Sequence, residues 1–74
     1  MKDNVIYEVV REFIDKDGNM DDFEVLSSGL NDYSKALDAA NKAEVWKGSQ
    51  ISIWETDEKT LDLLNSWLIK EVSE

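Results

Sequence analysis

The chain predicts an α+β domain of order ββαβα, and three stretches carry that expectation. Val5 to Ile14 is an unbroken run rich in β-branched and aromatic residues, without glycine or proline, the composition of a central strand. Residues 49–55 alternate, with Ile51 and Ile53 on one side and Ser52 and Trp54 on the other, as a half-buried strand does. Between them Tyr33, Ala36, Leu37, Ala40 and Ala43 recur at helical spacing, which marks an amphipathic helix.

Taken in order, strand one is the most apolar strand and carries apolar residues on both faces, so it belongs at the centre of the sheet. Asp15-Lys16-Asp17-Gly18-Asn19 follows with the chemistry of a tight turn, because Gly18 accepts positive φ and Asp15 can bond back to turn amides. Two registers compete. A two-residue loop sets Val10 across from Val25 and Arg11 across from Glu24. A three-residue loop Lys16-Asp17-Gly18 sets Val9 across from Val25 and Ile14 across from Met20. The second is preferred because it gathers Tyr7, Val9, Phe13, Phe23 and Val25 on one face, with only Arg11 out of place.

Strand two covers residues 20–27, and Ser28-Gly29 ends it. Asn31 or Asp32 then caps a helix over residues 33–46, with Gly48 just past its end. After strand three, Thr56 or Asp57 caps a second helix over residues 58–72. Leu61, Leu64, Leu68 and Val72 form its stripe, widened by Leu63, Trp67 and Ile69. A right-handed crossover makes strands two and three parallel to each other. The expected architecture is a three-stranded antiparallel sheet of order 2-1-3, one helix on a face, and a C-terminal amphipathic helix.

Seventy-four residues make a single small domain, residues 1–74, that buries only about 60% of its unfolded surface. With neither cysteine nor histidine, disulfide and zinc staples are excluded, and stability must come from the chain's own core or a shared one. The charged N-terminus lacks the apolar run of a signal peptide, and nothing approaches a membrane span. A soluble cytoplasmic protein is the expectation.

Charge is the strongest compositional signal. Seventeen acids against eight bases give a net charge of −9 and a pI near 4.3. Residues 1–30 carry −5, residues 31–50 are neutral, and residues 51–74 carry −4. Such a field argues against direct binding to nucleic acid or anionic membrane, and toward a solubility surface or a basic partner.

The turn Asp15-Lys16-Asp17-Gly18-Asn19-Met20-Asp21 resembles the opening of an EF-hand calcium loop, with oxygen side chains at alternate positions. Met20 stands where that loop has its glycine and Leu26 where it has its bidentate glutamate, so a plain β-turn is expected and no cofactor follows. Catalysis is poorly supported, since the commonest general base and the thiolate nucleophile are missing. No phosphate-binding glycine loop is present, and Ser27-Ser28-Gly29 has no base in view.

One helix covers one face of a sheet, which leaves the other to a second helix or a second molecule. Trp54, Leu64, Trp67 and Leu68 are therefore the candidate partner-binding residues. Asp15, Asp17, Asp21, Asp22 and Glu24 are the candidate acidic face. The sequence points to a small acidic, non-enzymatic interaction module whose partner is a protein or itself. It self-associates as a homodimer through the C-terminal helix or the uncovered sheet face. The alternative is an acidic inhibitor or decoy of a basic, nucleic-acid-binding protein, of phage, prophage or mobile-element type.

Overall fold

A computed structural model describes residues 4–71. Its elements are β1 (Val5–Ile14), β2 (Met20–Leu30), α1 (Tyr33–Lys42), β3 (Ser49–Asp57) and β4 (Leu63–Glu71). They form one four-stranded antiparallel sheet of order β2-β1-β3-β4. β1 lies inside it, between β2 and β3, as an apolar strand without glycine or proline should.

The expected second helix over residues 58–72 is overturned, and with it the three-stranded sheet. Residues 58–62 make a turn, and β4 then returns beside β3, pairing Trp67 with Ile53 and Asn65 with Glu55. Two features disguised this strand. The Asp57 carboxylate does accept amide hydrogens as a helix cap would, from Lys59 (2.8 Å) and Thr60 (3.0 Å). Leu61 then takes φ +65°, which ends the single helical turn and reverses the chain. In addition, β4 slips register after Leu63 and again after Leu68. Irregularities of this kind break the two-residue alternation that identifies a strand. Val72, the last residue of the expected stripe, lies outside the described residues.

The first hairpin contains both competing registers. Asp15 N–H donates to the Asn19 carbonyl (2.8 Å) and Gly18 N–H to the Asp15 carbonyl (3.0 Å). With Gly18 at φ +88°, this is the three-residue loop, and it sets Ile14 across from Met20. An irregularity at Asp21 then shifts the pairing, so that Arg11 meets Glu24 and Val10 meets Val25. That shift moves Phe23 and Val25 to the face opposite Tyr7 and Val9, correcting the expected grouping. β2 also runs past Ser28-Gly29 to Leu30, which pairs with Tyr7.

Asp32 caps α1, its carboxylate accepting from Ser34 N–H at 2.8 Å. The helix stops at Lys42, four residues before the expected end at Trp46. The reason lies in Arg11. Leaving the helix frees the Glu44 carbonyl to accept Arg11 Nη2 (2.8 Å) and Nε (3.3 Å), while Trp46 lies over the guanidinium with its ring centre 3.7 Å from Cζ. Arg11 also pairs with Glu24 at 2.6 Å. The cation that fitted no pattern in strand one is thus buried but fully occupied.

The core lies between α1 and one sheet face. Ala36 and Ala40 bring the helix close over Tyr7, Val9, Ile51 and Ile53. Glu55 is buried in the same layer, accepting from Tyr7 Oη (3.0 Å) and Asn65 Nδ2 (2.8 Å).

Candidate partner-binding face

The opposite face of the sheet has no helix on it, and its residues follow from the strand registers. β1 contributes Ile6, Glu8, Val10, Glu12 and Ile14. Beside them β3 places Thr56, Trp54, Ser52 and Gln50, β2 places Val25, Phe23 and Met20, and β4 places Leu63, Ser66, Leu68 and Glu71. The inner strands mix polar and apolar side chains here, with Glu8, Glu12, Gln50, Ser52 and Thr56 among Ile6, Val10, Ile14 and Trp54, while β2 contributes only apolar ones.

Glu12 is the hub of the inner part. Its Oε1 accepts from Gln50 Nε2 (2.7 Å) and Ser52 Oγ (2.9 Å), and its Oε2 from Trp54 Nε1 (2.7 Å). Two residues along β1, Glu8 accepts from Thr56 Oγ1 at 3.3 Å. All four donors stand at alternate positions of β3, since a strand sends every second side chain to one side. Bonds to a carboxylate are the stronger kind, so this ladder binds β1 to β3 without an apolar layer above it.

Val10 is nevertheless fully buried, because the face covers its own centre. The rings of Phe23 on β2 and Trp54 on β3 approach to 4.9 Å between centroids. Their partners on β1 are Glu12 and Glu8, so the rings meet across the position of Val10, which lies between those two. Large apolar side chains of this face remain open to solvent: Met20 (49%), Val25 (43%) and Phe23 of the pair itself (46%) on one edge strand, Leu63 (54%) and Leu68 (51%) on the other.

The sequence-predicted partner residues divide. Trp54 and Leu68 share this face, and Leu64 is exposed where β4 slips register. Trp67 does not join them. It points under α1, with ring centroids 5.1 Å from Tyr33 and 6.5 Å from Tyr7, and belongs to the core. The expected acidic face is dispersed as well. Asp15 and Asp17 sit in the hairpin turn, where the Asp15 carboxylate accepts the amides of Asp17 and Asn19. Asp21 falls in the irregularity, Asp22 pairs with Phe13, and Glu24 pairs with Arg11 on the helix side of the sheet. Met20, Phe23, Val25 and Leu63 escaped the sequence as partner residues. The available signal was the donor series Gln50, Ser52, Trp54, Thr56, whose common face requires acceptors on a neighbouring strand.

The chain matches no protein-family model, no curated protein and no solved structure. The site therefore stands on its geometry alone. Among the described residues, no three acidic, histidine or cysteine side chains are grouped to hold a metal ion. None of their helices is long and apolar enough to cross a membrane. A shallow depression of about 370 Å³ lies at one end of the sheet, between Ile14, Asp15, Lys16, Gly48, Gln50 and Glu71.

Proposed function

We propose that this protein is a small non-enzymatic binding module that docks another protein on the sheet face opposite α1. The observation that carries this is the set Met20, Phe23, Val25, Leu63 and Leu68, five large apolar side chains left in solvent on one face of a 74-residue chain. Exposed apolar groups gathered on one face of a monomer are the mark of an interaction surface. The ring pair Phe23–Trp54 at its centre is the kind of rigid aromatic anchor that dominates binding energy. The two buried carboxylates, Glu12 and Glu55, are held by hydrogen-bond donors and serve cohesion, which supports binding in preference to catalysis.

The test uses the full chain as bait in lysate from its source organism, alongside Phe23→Ser and Leu68→Ser variants and an α1-surface control, Lys35→Ser. A partner retained by the wild type and the control but lost by both face variants is the expected result. Circular dichroism must show the variants folded. A partner lost only with the control, or retained by every variant, would move the docking site elsewhere.

A further inference from the structure

The strand positions of the open face carry three carboxylates, Glu8, Glu12 and Glu71, and no basic residue. The two strand-borne cations of the described residues both lie on the helix side. Arg11 reaches the Glu44 carbonyl and Glu24, and Lys70 donates to the Asn41 carbonyl at 3.0 Å. Lys16, in the hairpin turn at the end of the sheet, borders the same depression as Glu71. The donors on Glu12 are a serine, a glutamine and an indole. All three are neutral, so the negative charge of that carboxylate is held in place without being cancelled.

These carboxylates are arranged about a line that is apolar but for Ser52, whose hydroxyl is turned to Glu12. Val25, Val10, Ser52 and Leu68 lie side by side across β2, β1, β3 and β4, with the Phe23–Trp54 rings above the middle of the line. At about 4.8 Å between strands the line spans about 14 Å. Glu8 lies two residues from it along β1 in one direction. Glu12, level with Glu71 through Gln50, lies two residues away in the other. Two residues of strand are about 6.8 Å, so the line is flanked by negative charge on both sides.

We propose that the occupant of this face is a cationic amphipathic helix. It lies across the strands from Val25 over the Phe23–Trp54 rings to Leu68, with basic residues bordering its apolar stripe on both sides. The proposal rests on the open face being the docking surface and adds the class of partner. A helix about 10–12 Å wide with its side chains covers the apolar line and brings its two flanks over Glu8 and over Glu71. About ten residues of helix, at 1.5 Å each, cross the sheet. A second copy of this chain fits poorly, because packing two open faces together brings six carboxylates into one layer without a strand-borne cation between them.

The probe is a synthetic leucine/lysine peptide of about 14 residues with lysines along both borders of a leucine face. It is titrated calorimetrically into the full chain, with amide chemical shifts followed by NMR. The expected result is binding that perturbs Val25, Ser66 and Leu68 while leaving α1 unmoved. Affinity falls about tenfold when ionic strength is raised from about 0.05 to 0.5 M. The pair Glu8→Gln and Glu71→Gln weakens binding about 3- to 10-fold, and Leu68→Ser abolishes it. The charge-matched pair Asp15→Asn and Asp17→Asn leaves it unchanged. Equal weakening by both charge pairs, with Leu68→Ser without effect, would mean diffuse attraction to an acidic protein and would overturn the proposal. No peptide binding by a chain that dimerises, and that Leu68→Ser converts to monomer, overturns the cationic occupant while keeping the face as an interface. No peptide binding by a monomer overturns the occupant too, and the lysate capture with face variants then decides the face itself.

Discussion

The two hairpins of this sheet close in chemically similar ways. At the β1–β2 turn the Asp15 carboxylate accepts the amides of Asp17 and Asn19, and Gly18 reverses the chain at φ +88°. At the β3–β4 turn the Asp57 carboxylate accepts the amides of Lys59 and Thr60, and Leu61 reverses the chain at φ +65°. Both turns thus pair an aspartate that gathers amides with a residue in the left-handed region. They differ in which residue takes that region. Glycine occupies it freely, whereas a side chain with a Cβ carries a strain of about 1–2 kcal/mol there. An aspartate followed by glycine announces a turn, while the same aspartate followed by leucine announces a helix cap.

Exchanging the reversing residues tests the comparison most severely. Gly18→Ala is expected to lower unfolding free energy by about 1 kcal/mol, read from urea denaturation. A Cβ at Gly18 would meet no atom within 4 Å, so the loss reports backbone conformation alone. An unchanged midpoint would show that the first hairpin does not depend on its glycine. In the opposite direction, Leu61→Gly is expected to raise stability by about 0.5–1 kcal/mol. Relief of the left-handed strain outweighs the extra freedom glycine gives the unfolded chain. Leu61 is 69% exposed, so little packing is lost. A fall in stability would show that Leu61 makes contacts that outweigh its backbone strain.

The smallest effect is a pH dependence. The amides of Thr60 and then Lys59 hold the Asp57 carboxyl below the ordinary aspartate value. A lowered folded-state pKa adds stability that is complete above the unfolded value of about 3.9 and is lost as pH falls through the folded one. Asp57→Asn therefore destabilises slightly at neutral pH, and its difference from the wild type shrinks in acid. The carboxylate lies at the protein surface on a partly exposed residue, so solvent screens much of the effect. A difference that stayed constant with pH would assign it to side-chain geometry in place of charge.

The same contrast explains what the sequence could reveal. The strand Val5–Ile14 and the three-residue loop at Gly18 were legible because composition, spacing and turn residue agreed at each, and the helix cap was narrowed to Asn31 or Asp32, of which Asp32 serves. β4 was not legible. Leu61, Leu64, Leu68 and Val72 recur at spacings of three, four and four, which is helical, and the register slips after Leu63 and Leu68 break the two-residue alternation that would have marked a strand. Residues 43–46 were lost to the predicted helix for another reason: the Glu44 carbonyl is drawn out by a guanidinium more than thirty positions earlier in the chain, which no local pattern encodes. Of the candidate site, Trp54 and Leu68 were visible, while Phe23 and Val25 were assigned to the wrong face by a single register shift at Asp21.

The pairing of β1 with β3 has a kinetic meaning of its own. β1 with β2, and β3 with β4, are neighbours in sequence, and hairpins of this kind form in about 1–10 μs. Val9 opposite Ile53 and Val5 opposite Asp57 instead join the two halves of the molecule through a loop that includes all of α1. Closing that loop is the entropically expensive event on the way to the native state. The central seam is thus the long-range closure of the fold, and the donor ladder that fastens Glu12 and Glu8 to β3 acts as its clasp.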